Sequence, residues 1–107
     1  MDNTKEIIQE QTNINVTMPK MYKVILHNDD FTPMNFVVFI LRKIFKKSKI
    51  EAIKIMMTVH KNGKGVAGIY PRDVAMTKAV MVEAIATENG FPLKASIESD
   101  ISKGRNK

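Results

Sequence analysis

The stretch Met21-Tyr22-Lys23-Val24-Ile25-Leu26-His27-Asn28-Asp29-Asp30-Phe31-Thr32-Pro33-Met34 holds a change of backbone regime that decides the fold. Its first half is dense in β-branched and aromatic side chains, and Tyr22, Val24 and Leu26 fall on one face of an extended chain, so a strand is predicted over 21–27. Asn28-Asp29-Asp30 ends that pattern, because short polar side chains hydrogen-bond to nearby backbone and favour turns. Thr32-Pro33 reads as an N-cap followed by proline at the first helical position, where the missing N–H costs nothing. Phe36, Val37, Ile40, Leu41 and Ile44 continue at helical spacing, which predicts a helix to about Lys46.

Further along, Ser48-Lys49-Ile50-Glu51 has capping-box spacing and opens a second helix. Its apolar stripe reads as Ile50, Ile53, Met57 and His60, widened by Met56 and Val59, with Asn62-Gly63 as the stop. Gly65 to Tyr70 reads as a short strand whose glycines point to a bulge or a close backbone approach. Pro71 starts a third helix, with Val74, Lys78 by its stem, Met81, Val82 and Ile85 on one side and an end before Gly90. After Pro92, the alternation of Leu93, Ala95 and Ile97 with Lys94, Ser96 and Glu98 predicts a half-buried strand. The order is β-α-α-β-α-β, an α+β domain over 20–98. The Asn-, Gln- and Thr-rich residues 1–19 are expected to form a flexible N-terminal arm, and 99–107 a frayed basic tail.

At 107 residues the chain fits one small domain, and 44% hydrophobic with 26% charged residues is ordinary for a folded one. It has no cysteine, which excludes disulfides, thiolate zinc sites and cysteine nucleophiles. The start MDNTKEIIQEQ lacks a basic segment followed by an apolar run, and no apolar stretch is long enough to span a bilayer, so a cytoplasmic, membrane-free protein is expected. The net charge is +6, and residues 20–64 carry ten basic against three acidic side chains, a local +7. The densest run, Arg42 to Lys49, ends one helix and borders the next, where cations offset the negative helix end. A nucleic-acid-binding domain is the alternative this charge leaves open, although no aromatics interleave with the basic residues as a base-stacking groove requires.

Catalytic motifs are lacking. Asp29 and Asp30 are adjacent rather than opposed across a cleft, and Gly63-Lys64-Gly65 lacks the P-loop spacing. His27, Asp29, Asp30 and His60 have no metal-ligand spacing. What remains is a possible binding constellation around the polar loop, His60 and the adaptable methionines Met34, Met56 and Met57.

The run from Tyr22 to Met34, followed by Val59-His60 with Gly63, Gly68-Ile69-Tyr70, Val74-Ala75 with Lys78 and Pro92-Leu93, closely resembles the ClpS family of bacterial Clp protease adaptors. The resemblance covers Met21 to Glu98. It implies a non-enzymatic monomer, without cofactor or metal, that binds proteins beginning with Leu, Phe, Tyr or Trp and delivers them to the ClpA unfoldase for degradation by ClpP. Carried over by position, it assigns Asn28, Asp29 and His60 to the substrate's α-amino group, with Asp30 and Thr32 supporting the loop. Met34, Val37, Met56, Val59 and Leu93 would line the side-chain pocket, Met34 acting as a gate against β-branched residues. Asp73 and Lys78 would dock on the unfoldase, and the arm before Pro19 would take part in delivery. Asn35 departs from a glutamate common in the family, and Met76 from a commonly acidic position.

These roles make physical sense. An α-ammonium offers three donors and needs acceptors, which an amide oxygen, a carboxylate and a neutral imidazole supply. Burying a Leu or Phe side chain contributes about 1.5–3 kcal/mol, whereas micromolar affinity needs about 8, so both ends of the site must contribute. A protonated His60 would donate only and repel the ammonium, so binding is expected to weaken on acidification.

Overall fold

A computed structural model describes residues 19–101 of the chain. The elements run β1 (Met21–His27), α1 (Met34–Lys43), α2 (Lys49–Asn62), β2 (Lys64–Pro71), α3 (Arg72–Glu88) and β3 (Lys94–Ser99). The three strands form one antiparallel sheet in the order β2-β1-β3. This is the expected β-α-α-β-α-β, α+β architecture. The expected arm lies almost wholly outside the described residues, as do residues 102–107. At the other end β3 runs through Ser99, and the Asp100 N–H donates to the Met21 carbonyl at 2.8 Å, a little beyond the expected boundary.

Val24 and Leu26 on the inner face of β1 are fully buried against Ile40, Leu41 and Val82, with Tyr22 packed beside them. The α1 stripe is the expected one: Phe36, Val37, Ile40 and Leu41 are buried, and Ile44 caps the series. Its ends differ from expectation. Pro33 itself occupies the N-cap position, because the Thr32 hydroxyl is used elsewhere, and no side chain caps the helix. At the other end the helix stops at Lys43, since Lys46 takes a left-handed φ of 56° and the Lys47 N–H turns back to the Leu41 carbonyl at 3.1 Å. The bond closes the helix end over a left-handed residue, a place that glycine usually takes.

The other two helices present different faces from those the bulky residues suggest. On α2 the buried side chains are Ala52, Met56 and Val59, while Ile50 is 70% exposed and Ile53 and His60 also face outward. On α3 they are Ala75, Val82 and Ala86, while Val74 and Met81 are exposed. Alanine is the reason. It contributes little hydrophobic signal, yet it lets a helix pack closely on its neighbours. Ser48 does cap α2, its Oγ accepting from the Glu51 N–H at 3.1 Å, and Gly63 ends it at φ 90°.

The glycine reading of β2 holds in both forms. The β1–β2 register shifts between Val24 and Ile25, and a Cβ on Gly65 would stand 2.9 Å from Val59 Cγ2. Close approach at Gly65 presses the start of β2 onto α2 beside the site described next. Lys78 lies partly buried: its Nζ donates to the Ile44 carbonyl at 2.9 Å and stands 5.2 Å from the Tyr70 ring.

Candidate functional site

The loop between β1 and α1 is organised by one carboxylate. Asp29 Oδ1 accepts from the Phe31 and Thr32 N–H groups at 2.8 and 2.7 Å, and Oδ2 accepts from the Thr32 hydroxyl at 2.7 Å. Burial pushes this carboxyl up, but the three hydrogen bonds together outweigh it and hold the group below its ordinary value of 3.8. Asp29 therefore stays charged near neutral pH. A carboxylate has about four lone-pair positions, so one remains beyond the loop's own bonds.

A second contact docks the loop on α2. The Asn28 N–H donates to the Gly63 carbonyl at 2.9 Å, which sets the polar loop beside the C-terminal turn of α2, where His60 lies three residues earlier. The antiparallel pairing of His27 with Lys64 makes this possible, because it fixes the loop and the α2–β2 turn at the same end of the sheet.

Between these parts lies a cleft of about 260 Å³. Asn28, Asp29, Asp30, Thr32 and His60 supply its polar wall, and Met34, Val37, Met56 and Val59 its apolar wall. Val37 and Val59 are buried, so the floor is the α1–α2 core, whereas Met34, at the first turn of α1, is 44% exposed at the edge. Although the whole chain carries +6, no Lys or Arg lines this cleft and two carboxylates do. It is suited to a ligand with a cationic, donor-rich end and an apolar body.

The fold thus brings together nine of the ten residues assigned from sequence to the amino-group site, its loop and the pocket. The tenth, Leu93, is 2% exposed in the core and is not among the lining residues. Asp73 lies exposed in the first turn of α3, and Lys78 is engaged with Ile44 as described. His27 is not among the lining residues, and its Nε2 lies 2.7 Å from Ser96 Oγ on β3. Among the described residues no group of three or more His, Cys, Asp or Glu side chains is placed to hold a metal ion, and no helix is long and apolar enough to cross a membrane.

Two features of the site escaped the sequence. One is the Gly63 carbonyl as the loop's anchor, which only the strand pairing reveals. The other is Phe31, whose ring is 77% exposed beside the acidic loop. An aromatic side chain between Asp30 and Thr32 in a tight turn was the available signal.

A family model for the ATP-dependent Clp protease adaptor protein ClpS matches residues 17–96. The ATP-dependent Clp protease adapter protein ClpS of Acetivibrio thermocellus is 49% identical over 96 residues, covering 90% of this chain and 97% of the relative. That of Clostridium acetobutylicum is 54% identical over 82 residues, 77% of this chain and 81% of the relative. Among solved structures, Agrobacterium tumefaciens ClpS2 bound to L-phenylalaninamide superposes with a TM-score of 0.75 at 41% identity, covering 78% of this chain and all of that one. With the match extending over most of its length, this chain belongs to the ClpS family of Clp protease adaptor proteins.

Proposed function

We propose that this adaptor binds proteins whose first residue is a bulky hydrophobe with a free α-amino group, and delivers them to a ClpA-type unfoldase working with ClpP. The observation that carries the reading is the two-sided cleft: carboxylates, an amide and an imidazole on one wall, and Met34, Val37, Met56 and Val59 on the other. Its volume of about 260 Å³ has room for a ring and an amino end, given that cavities of about 150 Å³ accept benzene. L-Phenylalaninamide, the ligand of the Agrobacterium relative, has this chemistry: a free α-amino group, a phenyl side chain and a neutral amide in place of the next peptide bond. In this role Asn28, Asp29 and His60 accept from the ammonium, Asp30 and Thr32 support the loop, and Met34 gates against β-branched side chains.

Delivery is supported by the outer side of α3. Val74, Met76, Val80 and Met81 are exposed there, close to Asp73, and exposed apolar groups clustered on one helix favour a protein partner. The arm before Pro19 contributes to delivery. The adaptor acts as a cytoplasmic monomer and needs neither cofactor nor metal.

The test is fluorescence anisotropy with one peptide presented with Leu, Phe, Val or N-acetyl-Leu first, followed by degradation of a Leu-first reporter by ClpA and ClpP. Tight binding of the first two alone, with degradation dependent on the adaptor, is the expected result. Equal binding of all four would overturn the reading.

A further inference from the structure

A second, shallow and wide-open cleft lies on the outer side of α1. Val38 and Phe39 form its apolar part, and Arg42, Lys43, Lys46 and Lys47 supply four cations, with no carboxylate in the lining. Phe39 is 46% exposed, although its ring lies 5.9 Å from that of the buried Phe36. The linings of the two clefts come to adjacent residues at the start of the helix. Asn35, which lines this groove, directly follows Met34, which lines the other, and Val38 lies one helical turn from Met34 on the same flank. The far end of the groove is formed at some conformational cost, because Lys46 holds a left-handed φ of 56° at a position where glycine would be relaxed.

We infer that this groove receives the acidic, extended segment of a substrate that follows its first residue, so that the adaptor favours N-termini with carboxylates a few residues in. The inference rests on the amino-terminal reading of the neighbouring cleft. Charge complementarity carries it: an anionic cleft takes the ammonium, and the cationic groove that begins one residue further along α1 takes carboxylates. From Asn35 to Lys43 the groove follows about 12 Å of helix at about 1.5 Å per residue, the length of about four extended residues. Lys46 and Lys47 extend it beyond the helix. Asn35 places no negative charge at the junction.

The experiment is anisotropy on the full chain with labelled peptides that differ at two places. Leu is first, free or acetylated, and positions 4–7 are neutral, all Glu or all Lys. At low salt the free Glu peptide is expected to bind about fivefold tighter than the neutral one, the Lys peptide weaker, and the difference to vanish at high salt. A variant carrying R42Q, K43Q, K46Q and K47Q should bind the neutral peptide as the unaltered chain does, with no preference for Glu. Equal affinity for neutral and Glu peptides overturns the inference, as does a Glu preference that survives in the variant. Acetylated and free Glu peptides binding equally well would make the groove an anion site independent of the cleft, and an oligonucleotide binding more tightly than any peptide would make it a nucleic-acid surface. Either result overturns it. Failure of the underlying reading looks different: the neutral peptide would bind equally with and without its acetyl group, and the groove assignment would fall with it.

Discussion

Replacing Thr32 by valine removes one donor and leaves the β-branched shape. In the native loop that hydroxyl donates to Asp29 Oδ2 at 2.7 Å, while Oδ1 keeps its two backbone bonds. A hydrogen bond to a charged group is worth about 1.5–3 kcal/mol when buried. This one is only part-buried, so solvent screening reduces it to about 1–1.4 kcal/mol. If the loop must hold Asp29 in this orientation to receive an ammonium, Thr32→Val weakens Leu-first peptide binding by about five- to tenfold, and Thr32→Ser, which keeps the donor, stays within about twofold. A second readout is independent of ligand. The hydroxyl is one of the bonds holding the Asp29 carboxyl low, so in Thr32→Val that carboxyl titrates closer to its ordinary 3.8. The consequence for stability has a definite sign. A carboxyl lowered by folding contributes stability that is present above its unfolded value, near 3.8, and is lost as pH falls through the lower folded value. Thr32→Val shrinks that acid-sensitive part. Peptide titrations and the NMR titration of the Asp29 carboxyl measure the two effects. Native affinity together with an unshifted carboxyl would show that the Thr32 hydroxyl does not hold Asp29 for its ligand.

Three further substitutions probe the frame around the site. Gly65→Ala sets a Cβ 2.9 Å from Val59 Cγ2 and should cost about 1–2 kcal/mol in urea denaturation, with weaker peptide binding because Val59 lines the cleft. Lys46→Gly relieves the left-handed turn after α1 and should stabilise by about 0.5–1 kcal/mol, net of the glycine's entropy, in the same assay. Lys78→Met keeps the stem but removes the bond to the Ile44 carbonyl and the cation beside Tyr70, so Tm should fall by about 4–8 °C with peptide affinity unchanged. Loss of unfoldase binding at native Tm would instead make Lys78 a docking residue.

How far the sequence could be read depended on where bulk and polarity coincide. Helix α1 was legible because Phe36, Val37, Ile40 and Leu41, the residues at helical spacing, are the ones buried on its core side. Helices α2 and α3 carry apolar side chains around much of their circumference, and their core faces are marked by Ala52, Ala75 and Ala86, which hydrophobic periodicity weights weakly. His60 shows the result: its spacing places it within an apolar stripe, yet it is an exposed residue at the cleft. The polar loop stood out as a strand breaker, but its internal bonding did not. Thr32 sits where a helix cap belongs, and Asp29 competes for its hydroxyl. The basic run was visible as charge, whereas its partnership with Val38 and Phe39 needed the helix to place them on one side.

Whether the cleft reads a free amino group and a bulky side chain together is answered by following backbone and side-chain NMR signals while titrating L-phenylalaninamide and its N-acetyl form. Saturable shifts are expected with the free amine, concentrated at Asn28 to Met34, Met56, Val59 and His60, and none of that size with the acetylated compound. Equal responses to the two compounds, or shifts centred away from this cleft, would contradict that reading.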